Sequence, residues 1–242
     1  MPWLRTNSQT PLFSLKLFLA RDRLARFLSG LLLAAGAVCA LAALDAGALR
    51  QQLADRFGPS RLPLLDNWLA TIESAKPKKD DARLKLINDF INRHIVFDDD
   101  ISVWQQSDYW ATPLETIGQG RGDCEDFAII KYISLRQAGI PAARLRLIYV
   151  KARRNGAAGP VQIAHMVLAY YATPNAEPLV LDNLDPTIRA ASQRGDLQPV
   201  FSFNSEGIFA GVSGKEQAAA GGTGRLSRWE DALRRIHAEG FE

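Results

Sequence analysis

The hydrophobic period of this chain changes at Gly139 and Pro141, and that change limits the fold more than any other feature. Before it, apolar residues recur at helical spacing. The segment Arg61–Ser74 (RLPLLDNWLATIES) is one such run, and Leu84, Ile87, Phe90 and Ile91 give the next an apolar face. A third run carries Phe127, Ile130, Ile133, Ser134 and Ala138 on one side. Gly139 and Pro141 stop it, because glycine accepts the left-handed turn after a helix and proline cannot continue one. Beyond them the pattern alternates. In Arg144–Val150 (RLRLIYV), Leu145, Leu147 and Tyr149 face one way and Arg144, Arg146 and Ile148 the other. Ile163–Tyr171 and Pro178–Asp182 are further β-type runs, joined by Thr173-Pro174-Asn175. Helices first, a central helix, then strands is an α+β order.

Residues 1–44 read as an export segment. Arg5, Lys16, Arg21, Arg23 and Arg26 face one acid, Asp22, and Phe27–Leu44 then runs without a charge. Small residues at its end fit a cleavage site at Val38-Cys39-Ala40 or Ala40-Leu41-Ala42. The alternative is an uncleaved signal anchor, since eighteen apolar residues almost span a bilayer. Either places residues 45–242 outside the cytoplasm. The formal charge of the whole chain is +3. Removing those five cations and the one anion leaves residues 43–242 near −1. The basicity belongs to the leader, so electrostatics make no case for a nucleic-acid partner.

The remaining two hundred residues are enough for one domain with a sizeable core, at 45–242. Lys76-Pro77-Lys78-Lys79 reads as a break, with Asp80 or Asp81 capping the next helix. Asp98-Asp99-Asp100 reads as a solvated turn, residues 101–122 as a loop leading to the central helix, and Asn155–Pro160 as a Gly/Ala-rich loop. Residues 214–224 (GKEQAAAGGTG) read as a flexible linker and Ser227–Ala238 as a terminal helix.

With the leader set aside, Cys124 is the only cysteine, so neither an internal disulfide nor a four-thiolate zinc site is available. Its setting is that of a reactive thiol. Gly118, Gly120 and Gly122 precede it and allow close approach of a substrate. It opens the central helix, where free N–H groups and the helix dipole favour a thiolate. Asp123, Glu125 and Asp126 oppose that thiolate and call for a base or cation nearby. An inert core cysteine is the alternative. A thiol nucleophile needs a base, and a third group to orient the base. His94 and His237 read as surface residues of helices. His165 lies in an apolar strand (IAHMVLAYY), where an imidazole is costly without a partner. Pairing of the two strands that follow could set His165 beside Asp182. Asp182 could equally be a turn cap, and Asn183 and Asp185 are neighbouring candidates. From spacing alone, Asp123 and Glu125 are too few oxygens for calcium and read as a solvated helix start. Trp104, Tyr109 and Trp110 read as walls of the helix, with Trp110 near the cleft.

The stretch Trp110-Ala111-Thr112-Pro113-Leu114-Glu115, then Gly118-Gln119-Gly120-Arg121-Gly122-Asp123-Cys124-Glu125-Asp126-Phe127-Ala128, resembles the bacterial transglutaminase-like cysteine proteinases. The resemblance extends through Ala164-His165-Met166-Val167-Leu168 and Val180-Leu181-Asp182-Asn183, and spans roughly residues 60–210. It implies a papain-like/transglutaminase-like α+β core, with the cysteine at the N-terminus of a central helix packed on an antiparallel sheet. It implies Cys124, His165 and Asp182 as a catalytic triad, and calcium (Ca2+) held by Asp123 and Glu125, with Asp126 as a further ligand or a helix anchor. It also implies a substrate and a partner. The substrate is a large surface adhesin, cut in its N-terminal region at a di-alanine site, releasing it and dispersing biofilm. The partner is an inner-membrane cyclic-di-GMP receptor of the LapD type. Two rival functions use the same residues: acyl transfer by a transglutaminase or amidase, and a non-catalytic calcium-binding module.

Overall fold

The structure is a computed structural model that describes residues 44–156, 159–209, 211–212 and 223–241. The segment expected to direct export, apart from Leu44, lies outside the described residues, as does 214–222 of the expected linker. Among the described residues, no helix is long and apolar enough to cross a membrane.

Three helices come first: α1 (Ala46–Phe57), α2 (Leu62–Ala75) and α3 (Asp80–His94). In α2 the buried residues Leu65, Trp68, Ile72 and Ala75 form one stripe at helical spacing. In α3 the stripe is Leu84, Ile87, Asn88, Phe90 and Ile91. Asp80 lies in the first turn of α3 and does not cap it. Its carboxylate instead pairs with Arg144 and accepts from the Tyr170 hydroxyl, fastening the helix to the sheet. A short strand β1 (Val96–Phe97) leads to α4 (Asp100–Trp104).

The stretch read as a loop contains a second helix, α5 (Pro113–Gln119). Its signal was present in the sequence. Thr112 accepts from the Glu115 N–H, the Glu115 carboxylate accepts from the Thr112 N–H, and Pro113 occupies the first turn. Such a capping box is worth about 0.5–2 kcal/mol. Gly120, at φ 69°, ends α5. β2 (Arg121–Gly122) then pairs in parallel with β1 and delivers the chain to α6 (Cys124–Gln137).

Residues 126–135 of α6 are all buried, so this helix has no solvent face. It packs between α3, α5 and the sheet strands β3 and β4. Trp68 donates to Ser134 Oγ at 2.8 Å, tying α2 to it. The helix ends at Gly139 (φ 93°) and Pro141, where the sequence places its end.

The sheet follows: β3 (Leu145–Gly156), β4 (Gly159–Tyr170), β5 (Leu179–Leu181), β6 (Arg189–Ala190), β7 (Leu197–Asn204) and β8 (Gly207–Phe209). All neighbours are antiparallel, in the order β6-β5-β4-β3-β7-β8. Leu145, Leu147, Met166, Leu168, Leu181 and Phe203 face the helices in the main core. Ile148, Val150, Val167, Ala169, Tyr171 and Val180 form a smaller cluster on the other face. The fold class is therefore α+β, with the cysteine-bearing helix against an antiparallel sheet. The expected loop at 155–160 is instead the tip of the β3–β4 hairpin, with Asn155 opposite Pro160 and Gly156 opposite Gly159. Cross-strand pairing carries the ladder through polar residues that have no strand pattern of their own.

The last helix, α7 (Thr223–Ala238), starts four residues before the expected Ser227 and includes the last two residues of the expected linker. Trp229, Ala232 and Ile236 bury one side of it. Arg235 of α7, Arg56 of α1, Glu115 of α5 and the following Glu239 form a charged network joining the three helices.

Candidate active site

β2 and α6 place the thiol. Gly122 is required for contact within the protein, not for approach of a substrate: a Cβ there would lie 2.4 Å from Asp126 Oδ2. Gly118 has a similar role, since a Cβ would meet the Phe57 ring at 2.3 Å. Asp123 is the N-cap residue and Cys124 begins the helix, so the sulfur sits at the end with unpaired N–H groups. The half-buried Cys124 thiol donates to Glu125 Oε2 at 2.7 Å.

β4 brings His165 to the same cleft, which has a volume of about 480 Å3. Trp110, Tyr149, Phe201 and Phe97 form its apolar walls. Trp110 stacks on Phe203, which lies behind it, and the two wall rings Tyr149 and Phe201 stack on each other. Trp104 and Tyr109 pack against each other at 4.7 Å and do not line the cleft. His94 and His237 are engaged with backbone carbonyls of Phe90 and Phe241.

His165 and Asp182 are both buried, and Nε2 of the ring lies 2.8 Å from Asp182 Oδ1. β5 makes this contact by pairing Leu181 with Leu168, three residues beyond the histidine. Burial alone would raise the Asp182 pKa. Its hydrogen bonds with His165, the Leu184 N–H and Arg194 outweigh that and hold it at about 2. An ionised carboxylate only accepts, so Nε2 carries the proton and Nδ1 is the unprotonated ring nitrogen.

Sequence reasoning missed the groups that hold Asp182. The buried Arg194 donates from one nitrogen to Asp182 Oδ2 and Asp196 Oδ2, both at 2.8 Å, and from Nε to Asp196 Oδ1 at 3.0 Å. Asn92 and Lys131 donate to the Asp182 backbone carbonyl at 2.9 and 3.1 Å. Lys131 is fully enclosed in α6, and burial lowers its pKa to about 7. No local pattern announces these residues, because the partners lie 12 to 90 positions away.

The acids beside Cys124 fall into two groups. Glu125 turns to the sulfur and, with Asp123 and Cys124, makes one possible ligand set. Asp123 also joins Asp126 and Asp100, with ligand atoms within 4.8 Å of one another. Asp100, expected in a solvated turn, is buried and accepts from the Tyr109 N–H at 2.5 Å. Asp126 accepts from the Ala111 N–H at 2.7 Å, anchoring the helix start. Each of Asp100, Asp123 and Asp126 keeps one buried carboxylate oxygen without a hydrogen-bond donor. Burial, then mutual repulsion with neighbours including Glu125, pushes Asp123 up to about 10. Burial raises Asp100 to about 6 and Asp126 well above the carboxylate range. Three crowded carboxylates with spare oxygens suit a hard divalent cation. Burial, followed by the charge and hydrogen bond of Glu125 and the charge of Asp123, also raises the Cys124 thiol far above its ordinary pKa.

Comparison with known proteins agrees with this arrangement. The family model for bacterial transglutaminase-like cysteine proteinases matches residues 69–196, which include Cys124, His165, Asp182, Arg194 and the three acids. No curated protein matches the chain. The solved structure of Legionella pneumophila LapG shares 35% identity over 79% of this chain and 97% of that one, with a TM-score of 0.63. Its EGTA-treated form shares 36% over 79% and 97%, with a TM-score of 0.64. Its calcium-bound form shares 36% over 77% and 96%, with a TM-score of 0.63. With the fold, the thiol-bearing helix and these matches in agreement, the chain belongs to the bacterial transglutaminase-like cysteine proteinases.

Proposed function

We propose that the protein is a periplasmic, calcium-dependent cysteine endopeptidase of the LapG type. The observation that carries this reading is the meeting, in one cleft, of a helix-start thiol, a buried imidazole–carboxylate pair and an adjoining acid cluster. Cys124 is the nucleophile, His165 the base and Asp182 the group that orients it. Nδ1 of His165 takes the thiol proton, and the sulfur attacks a peptide carbonyl. Backbone N–H groups at the start of α6 hold the oxyanion. The imidazolium then protonates the leaving amine, and water, activated by His165, resolves the thioester.

Asp123, Asp126 and Asp100 hold the calcium, with Glu125 free to join them from its place beside the sulfur. The calcium-bound relative supports this choice of ion. Three carboxylates do not fill a shell of 6–8 oxygens, so backbone carbonyls and water complete it. Bound there, the ion supplies positive charge next to Cys124 and offsets the acids that oppose the thiolate.

The proposed substrate is a large surface adhesin, cut in its N-terminal region at a di-alanine site, and its release disperses biofilm. A LapD-type inner-membrane cyclic-di-GMP receptor is the proposed partner that sequesters the protease. The test is incubation of the protein with the N-terminal region of a candidate adhesin, with calcium, with a chelator, and with Cys124→Ala. Cleavage in the first condition alone is expected, giving a new N-terminus without added amine. Product that appears only with an added amine would favour acyl transfer. Cleavage by Cys124→Ala would overturn the catalytic assignment, and cleavage that ignores the chelator would remove the ion.

A further inference from the structure

β4 has one fully paired edge and one that is mostly bare. Along its whole length it pairs with β3, from Gly159 to Tyr170. On the other side β5 reaches only Leu168, Ala169 and Tyr170. Among the described residues, the ladder has no strand beside residues 160–167 on that side.

Two hydrogen bonds fix which backbone groups face the bare edge. Tyr171 donates its N–H to Arg144, toward β3. In an antiparallel ladder the direction alternates, so Met166, Ala164 and Gln162 face away from β3. From the other side, Arg153 gives its N–H to Asp196, away from β4, and Arg153 is the register partner of Gln162. Gln162 therefore points outward as well. Pro160 has the same parity and no N–H, so the edge is closed to pairing at its outer end, as proline commonly does on edge strands.

This edge runs straight into the cleft. Ile163, Ala164 and His165 line it together with Cys124, and Phe97, half exposed on β1, lines it too. The outer part of the strand is open on its faces as well: Pro160, Val161, Gln162 and Ala164 are exposed. The segment 159–166 (GPVQIAHM) carries no Lys, Asp or Glu of the kind that guards a free edge.

We propose that an extended segment of the substrate polypeptide adds to β4 as a further strand, hydrogen-bonding the backbone N–H and C=O groups of Gln162 and Ala164 and so setting its scissile carbonyl beside Cys124. The inference rests on the protease reading and adds to it how the substrate is held. Backbone pairing is indifferent to side chains, so it selects for an extended, unstructured stretch of protein. Sequence choice is then left to the apolar walls, which meet alternate side chains.

The test uses the calcium-loaded protein and a di-alanyl chloromethyl ketone peptide, whose chloride the Cys124 thiol displaces to leave a stable thioether. Mass spectrometry reports the adduct, and residue-resolved amide exchange is compared before and after. The Gln162 and Ala164 amides are expected to exchange freely at first and to slow roughly tenfold in the adduct, about the value of one added hydrogen bond. Val161 and Ile163, already bonded to β3, are expected to be unchanged. An adduct without slowing at Gln162 and Ala164 overturns the docking strand and leaves the protease reading standing. Slow exchange of both amides in the free protein also overturns it, since the edge would already be covered. Failure of Cys124 to form the adduct, with the protein folded, overturns the thiol-protease reading and the docking strand with it.

Discussion

Nε2 of His165 lies 2.8 Å from Oδ1 of Asp182, in a contact from which water is excluded on both sides. The pair dictates the imidazole tautomer and so decides which nitrogen is free to act as a base. Asp182→Asn keeps the shape and removes the acceptor charge. It is expected to lower kcat by on the order of 10^3-fold or more while the protein stays folded, as read by peptide cleavage and circular dichroism.

The same carboxylate links stability to pH. Its folded pKa of about 2 lies below the ordinary 3.8. Its contribution, roughly 2 kcal/mol, is complete above pH 4 and is lost as the pH falls through 2. Acid unfolding of the native protein is expected to show this loss between those values. Asp182→Asn is expected to lack it, and identical acid profiles would remove Asp182 as its source.

Arg194 holds the far oxygen of Asp182 and is itself held by Asp196. Arg194→Met leaves Asp182 with one cationic neighbour fewer and is expected to cost on the order of 3 kcal/mol in urea unfolding. Arg194→Lys restores charge without the forked geometry and is expected to recover part of both stability and kcat. Equal losses in the two variants would mean that geometry, not charge, sets the effect.

The acid cluster makes opposite predictions with and without a cation. In chelator, Asp100, Asp123 and Asp126 are raised in the fold, so folding takes up protons. Stability is then expected to rise as the pH is lowered from 7 toward 4. Asp126→Asn is expected to stabilise the chelated protein and to abolish stabilisation by calcium. In the native protein that stabilisation is about 3 kcal/mol at a hundredfold excess over Kd. Thermal melts with and without calcium measure both effects.

Lys131 is buried with its ammonium on the Asp182 backbone carbonyl, and burial holds its folded pKa at about 7, below the ordinary 10.5. The unfolded chain binds the proton more readily between those values, so in the calcium-loaded protein the contribution of this lysine to stability is expected to rise with pH from 7 to 10. Lys131→Met is expected to flatten that rise. A difference between native and variant stability that is constant over this range would show that the lysine titrates normally in the fold.

Much of the fold was legible along the chain, because it rests on local periods. The stripe of α2, the end of α6 at Gly139 and Pro141, and the two faces of β3 are where the pattern puts them. α5 was legible too, through Thr112, Pro113 and Glu115, once the capping box is weighed above the surrounding glycines. β1, β2 and β6 were not. Each is two residues long and exists only through the strand it pairs with.

The candidate site divides along the same line. The sequence alone determined the place of Cys124 at a helix start among glycines and acids, and His165 as a histidine inside an apolar strand, since each follows from near neighbours. The tertiary structure decided the rest. Pairing of β4 with β5 brings His165 to Asp182. The approach of α4 to α6 turns Asp100 from a turn residue into part of an acid cluster. Arg194 comes within reach of Asp182 only when the segment between β6 and β7 folds back beneath β5. Burial and long-range hydrogen bonding act between surfaces that meet on folding, and no local window of sequence contains both of them.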